Sequence, residues 1–146
     1  MEELKQGGYL FSKIHQLSGR IFAKKLKSHG INEINPAQGR ILFALWQEDH
    51  ISLQQLSKKT ALGKSTLTRM LDRLEESGHV TRIYPQEDRR KILIELTDEN
   101  REMKASYQQV SMEMLQLFYN GFSEQETDQI EGYLKRILNN LNDFEF

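Results

Sequence analysis

Residues 52–77 read SLQQLSKKTALGKSTLTRMLDRLEES, and the two helices this stretch encodes decide the fold. Ser52 suits a helix N-cap and Gln55, three positions on, completes a capping box, so a short helix begins here and ends near Thr60. Ala61-Leu62-Gly63 supplies a tight turn. Across 64–77, Leu67, Met70, Leu71 and Leu74 recur at i, i+3, i+4 and i+7, the core stripe of a longer helix that Gly78 stops. A short helix, a turn with glycine and a longer helix form the helix-turn-helix layout.

The opposite face of the longer helix carries Ser65, Arg69, Asp72 and Glu76, with Thr66, Thr68 and Arg73 on its flanks. Its N-terminal half is therefore hydroxyls plus arginine, groups that bond base edges and phosphates in a major groove. Free backbone N–H groups at the helix start add donors for a phosphate. The plain alternative is a solvated face on which Arg69 and Arg73 pair with Asp72 and Glu76.

Immediately downstream the hydrophobic period changes to two. Ile92, Ile94 and Leu96 alternate with Leu93 and Glu95, which predicts a strand, and 79–84 is its partner through Pro85-Gln86-Glu87-Asp88-Arg89. Asp88-Arg89-Arg90-Lys91 then places three cations at the tip of a protruding ribbon, where no core requires them. Such a wing can insert an arginine into a narrow, electronegative minor groove. Asp88 is placed to accept hydrogen bonds from Arg90 and hold it extended. A charged turn that only blunts a sheet edge is the bland alternative, but the hairpin and the helix pair together are far more specific than either alone.

Working outward, 9–28 predicts a long amphipathic helix with Leu10, Ile14, Leu17 and Ile21 on one stripe, ended by His29-Gly30. Asn35-Pro36 is a helix start, with asparagine as N-cap and proline at the first helical position. The run Ile41-Leu42-Phe43-Ala44-Leu45-Trp46 is apolar nearly all round, as a central buried helix is. Thr97-Asp98-Glu99 opens a fifth helix with acid in its first turn and an apolar stripe of Met103, Tyr107, Val110, Met114 and Leu117, broken by Gly121. Ser123 and Glu126 form another capping box ahead of a sixth helix carrying Ile130, Leu134, Ile137 and Leu141. The predicted fold is mainly α with a small β-hairpin wing. The first, fifth and sixth helices, with Phe144 and Phe146, hold more apolar surface than a small reader domain needs, so a second subunit is the expected cover rather than a self-contained monomer.

Composition narrows the function. The 146 residues suit one domain, and no stretch approaches the run of about 18 apolar residues that spans a membrane. Cysteine is absent, which excludes disulfides, thiolate metal sites and thiol oxidation, and an acidic Met1-Glu2-Glu3 start is unlike a secretion signal, so a reducing cytoplasm is expected. Net charge is −1, but residues 58–97 hold nine basic against six acidic side chains, while from Asp98 onward ten acidic face four basic. The middle of the chain suits a polyanion and the C-terminal third does not. No HExxH, G-x-S-x-G or phosphate loop is present, so catalysis is not expected. His15, His29, His50 and His79 are too scattered for a zinc site, and no cofactor is expected.

Lys64-Ser65-Thr66-Leu67-Thr68-Arg69-Met70-Leu71-Asp72-Arg73-Leu74-Glu75, followed by Gly78, Asp88-Arg89-Arg90 and Leu96-Thr97, resembles the MarR (multiple antibiotic resistance) family of regulators. Ile34-Asn35-Pro36-Ala37-Gln38 with Ile41-Leu42 resembles that family's entry into the second helix. The resemblance implies a winged helix-turn-helix region at 35–97, with its wing at 79–97, inside a single domain 1–146. It also implies that 1–34 and 98–146 form dimerisation helices. A homodimer would bind double-stranded DNA at a palindromic operator, with repression as the default outcome. Ser65, Thr66, Thr68, Arg69 and Arg73 would serve the major groove and Arg90 the minor groove. Lys58, Lys64, Arg82, Arg89 and Lys91 are the expected phosphate contacts, and Asp88 supports Arg90. Many relatives respond to a small aromatic or phenolic effector between the dimerisation helices and the reader, and Tyr9, His15, Arg40, Trp46 and Tyr107 are the candidates to line such a site here. Asn100 stands where the family often has glycine; in a helix start it is not expected to affect binding. The reading from a different class is a winged-helix protein–protein interaction module without DNA binding, which charge reversal at Arg90 would leave unaffected.

Overall fold

The computed structural model describes residues 3–31, 34–88 and 90–146. Among these residues six helices, α1 (Gly7–Ser28), α2 (Pro36–Gln47), α3 (Leu53–Thr60), α4 (Lys64–Glu76), α5 (Asp98–Phe118) and α6 (Glu124–Asn142), accompany three strands, β1 (Ile51–Ser52), β2 (Val80–Ile83) and β3 (Leu93–Leu96). The chain divides into two compact units, Met1–Ser111 and Met112–Phe146.

In the first unit the caps form where the sequence places them. The Asn35 side chain accepts from the Gln38 N–H at 2.8 Å and the Gln38 side chain returns a bond to the Asn35 N–H at 3.0 Å, with Pro36 opening α2. Ser52 and Gln55 do the same for α3. The turn between α3 and α4 takes its left-handed residue at Ala61, with φ of 56°, rather than at glycine, and Gly63 caps α4. Leu67, Leu71 and Leu74 are buried with Leu42, Leu45, Leu56, Val80 and Ile94 in one core, and Met70 packs against it.

The hairpin is the larger part of a three-stranded antiparallel sheet in the order β1-β3-β2. Arg82 sits opposite Ile94 and Val80 opposite Leu96, so Val80, Ile94 and Leu96 share the buried face. The third strand, Ile51 opposite Ile94 and Ser52 opposite Leu93, lies at a segment the sequence marks only as a helix cap. Two residues are too few to show a period of two. The strands are also shorter than expected. They end at Ile83 and resume at Leu93, so the wing loop runs 84–92, and the Ile92 carbonyl accepts from the Leu53 N–H at 3.0 Å.

The start of α5 is tied into this unit at two places. Thr97 accepts the Asn100 N–H and donates to the Gly78 carbonyl. Arg101 pairs with Asp49 at 3.0 Å and with Asp98 at 2.7 Å, while Asp49 also accepts the Leu96 N–H at 3.0 Å. These carboxylates, Asp49 first, raise the Arg101 pKa.

In the second unit Gly121, at φ of 83°, separates α5 from α6. Ser123 and Glu126 close the expected capping box, and the Ser123 bonds hold the Glu126 carboxyl below its ordinary pKa. Tyr119 donates to the Glu131 carboxylate at 2.8 Å. No residue of α6 is buried: Tyr133, Leu134, Leu138 and Leu141 stay exposed within a single chain, as do Leu10, Phe11, Ile14 and Leu17 of α1 in the first unit. No helix among the described residues is long and apolar enough to cross a membrane.

Candidate nucleic-acid interface

The site is built by α3, α4 and the wing loop. Lys64, Ser65, Thr68 and Arg69 are exposed on the outward side of α4, and Thr66 is half-buried. The Thr68 hydroxyl donates back to the Lys64 carbonyl at 2.8 Å. Among the described residues no carboxylate pairs with Arg69 or Arg73, so the helix-internal pairing with Asp72 and Glu76 does not form. Asp72 is taken instead by Arg82 of β2 at 2.6 Å.

Between α3, the start of α4 and the wing loop runs a groove of about 710 Å³ lined by Ser52, Leu53, Gln54, Ser57, Lys58, Lys64, Asp88, Arg90, Lys91 and Ile92. Four cations and one carboxylate face it, an excess of positive charge in a concave surface, which attracts a polyanion. The Asp88 carboxylate accepts the backbone N–H of Arg90 at 3.0 Å, and its carbonyl accepts that of Lys91 at 3.1 Å. Asp88 therefore shapes the backbone that carries Arg90 rather than gripping its guanidinium. Arg89 lies outside the described residues.

The structure thus brings Lys58, Lys64, Asp88, Arg90 and Lys91 together along one groove. Arg73 is elsewhere, at a separate hollow with Asn35, Pro36, Glu76 and Ser77. Arg82 is turned inward with its side chain 18% exposed, donating to Asp72 and to the Thr68 carbonyl at 3.0 Å and lying 3.6 Å from Glu75. Gln54 and Ser57 line the groove without having been singled out in the sequence. Their signal was available, since both precede the turn into α4 on the polar side of the amphipathic α3.

The effector candidates do not converge. Tyr107 is 3% exposed, its ring centroid 4.4 Å from that of Trp46 in a tilted contact and 5.4 Å from that of Phe22 edge-on. A side chain at Gly39 would collide with the Tyr107 hydroxyl, so the two elements approach as closely as glycine allows. Burial pushes the Tyr107 pKa far above its ordinary value, offset only in part by the charge of Arg40. Arg40 itself is exposed and donates to the Thr60 carbonyl at 3.3 Å. Tyr9 and His15 lie on the exposed surface of α1, Tyr9 beneath the Lys13 ammonium.

Asn100 occupies a place the helix-start reading misses. It is fully buried, its side-chain carbonyl accepts the Trp46 indole N–H at 2.8 Å, and its amide faces His79 Nδ1 at 3.2 Å. The indole is only a donor, so the Asn100 oxygen must face it, the amide nitrogen must face His79, and Nδ1 accepts.

The family model of the MarR family matches residues 34–92. Over 132 residues the chain is 30% identical to the uncharacterized HTH-type transcriptional regulator YdgJ of Bacillus subtilis, covering 90% of this chain and 80% of that protein. It is 37% identical over 86 residues to the HTH-type transcriptional regulator TtmR of Methylorubrum extorquens, which is 59% of this chain but only 43% of that relative's length. Its fold is similar to a crystal structure of mutant MarR from E. coli complexed with operator DNA, with a TM-score of 0.80 and 26% identity over 94% of this chain and 99% of that one.

Proposed function

The chain belongs to the MarR family of transcriptional regulators, and from that premise we propose that it acts as a homodimeric repressor on a palindromic duplex operator. The observation that carries the reading is the cationic groove between α3, the first residue of α4 and the wing loop, lined by Lys58, Lys64, Arg90 and Lys91; on α4, Arg69 is exposed and no carboxylate among the described residues neutralises it. Residues 35–97 are assigned to reading DNA, and 1–34 with 98–146 to dimerisation. Supporting the latter are the uncovered apolar faces of α1 and, separately, of α6. Ser65, Thr66 and Arg69 enter a major groove, Arg90 a minor groove, and Lys58, Lys64 and Lys91 meet phosphates, with half-sites about 10 base pairs apart, centre to centre.

Selection of bound duplexes from a random pool tests this. The expected result is an enriched palindrome with the wild-type chain and loss of enrichment with Arg90→Ala. A folded dimer that enriches nothing would sink the reading in favour of a protein partner.

We further propose that a small aromatic or phenolic ligand releases the DNA by displacing the Phe22–Trp46–Tyr107 packing that links α1, α2 and α5. Trp46 is the chain's single tryptophan, so its fluorescence reports that site alone. Titration with an aromatic carboxylate is expected to quench it at the concentrations that release DNA. Release with an unchanged Trp46 spectrum would place the effector elsewhere.

A further inference from the structure

The recognition helix α4 is electrically neutral by itself, since Lys64, Arg69 and Arg73 are balanced by Asp72, Glu75 and Glu76. Its carboxylates lie in the C-terminal half, on the same rod that has to approach a polyanion. Carboxylates held close to phosphate would repel it, and such repulsion is strongest where water is excluded. Two of the three are met by one cation from outside the helix. Arg82 of β2 donates to Asp72 at 2.6 Å and lies 3.6 Å from Glu75, and the same guanidinium donates to the Thr68 carbonyl at 3.0 Å. Asp72 and Glu75 remain about half exposed, at 54% and 46% of their side-chain surface, while Arg82 is 18% exposed. The cation is thus more enclosed than the anions it serves, which is the wrong way round for a phosphate contact.

We propose that Arg82 is a positioning residue that shields the recognition-helix carboxylates from DNA and fixes α4 against the sheet, and that it touches no phosphate. The assignment rests on the DNA-binding reading above. It differs from that of Lys64, Arg90 and Lys91, whose side chains line the open groove.

The test is a double-mutant comparison of affinity for the selected duplex, read by fluorescence anisotropy at fixed salt, with thermal melts run alongside. Arg82→Ala is expected to weaken binding about tenfold in the wild-type background. In the Asp72→Asn/Glu75→Gln background, where nothing is left to shield, it is expected to change affinity by no more than about twofold. Arg82→Gln, which keeps a donor for the Thr68 carbonyl, gives the same comparison if the alanine variant unfolds. An equal loss in both backgrounds for Arg82→Gln, which keeps the bond to the Thr68 carbonyl, would show that Arg82 acts on DNA directly and would overturn the assignment alone. A wild-type chain that binds no duplex would overturn the regulator reading, and this assignment with it.

Discussion

Asn100→Ala is expected to lower the unfolding free energy by roughly 1–3 kcal/mol, because it removes the buried side chain that bonds both the Trp46 indole and His79. Asn100 is fully buried between the Trp46 indole N–H, 2.8 Å away, and His79 Nδ1, 3.2 Å away. An unpartnered buried donor or acceptor costs about 1–3 kcal/mol, more than the modest net gain of a typical hydrogen bond. The three residues come from α2, the approach to β2 and the first turn of α5, so the loss loosens the attachment of α5 to the reading region. Urea unfolding at fixed protein concentration measures it, with the slope unchanged and the midpoint lowered. Trp46→Phe in the same series removes one of the two groups that Asn100 bonds, so Asn100→Ala is expected to cost less in that background. A loss under about 0.5 kcal/mol for Asn100→Ala would mean that the network is not holding α5 in place.

Arg90→Glu is expected to reduce affinity for the selected duplex by about 100-fold at moderate salt, while Arg69→Ala costs roughly 1–3 kcal/mol and relaxes base preference. The two differ because of where each side chain stands. Arg90 shares a concave groove with Lys58, Lys64 and Lys91, so reversing its charge both removes a contact and opposes three neighbouring cations. Arg69 is exposed on α4 with no carboxylate partner among the described residues, so its loss removes a base contact without altering the wing. The distinguishing measurement is affinity for the operator and for single-base variants across a salt series. Arg90→Glu should flatten the salt dependence, and Arg69→Ala should flatten the discrimination among variants. Wild-type affinity in Arg90→Glu would remove the wing from the interface, and unchanged discrimination in Arg69→Ala would remove Arg69 from base reading.

Much of the architecture was readable from near neighbours in the chain. Asn35 with Gln38, Ser52 with Gln55 and Ser123 with Glu126 are reciprocal caps that need only three residues of spacing, and all three form. The Leu67, Leu71 and Leu74 stripe is buried as its period requires. What escaped were partners set by tertiary contact. Helical spacing offers Asp72 the arginines of its own helix, yet its partner is Arg82, ten positions on and in a strand. Asn100 looks like a solvated residue in a first turn until α5 docks and closes it in. Side-chain chemistry alone groups the effector candidates, whereas packing joins Trp46 and Tyr107 and leaves Tyr9 and His15 at the surface.

The sequence by itself determined the order of the helices and the hairpin, their caps, the helix-turn-helix and the basic middle of the chain. These follow from hydrophobic period, capping chemistry and local charge, which act over a few residues and survive in any context that buries the stripe. Tertiary structure alone decided the third strand, the turning of Arg82 away from the groove that holds Lys64 and Arg90, and the enclosure of Asn100 between Trp46 and His79. Each depends on which surfaces meet when helices and strands distant in sequence pack together, and a buried polar group takes whatever partner that packing brings within about 3 Å.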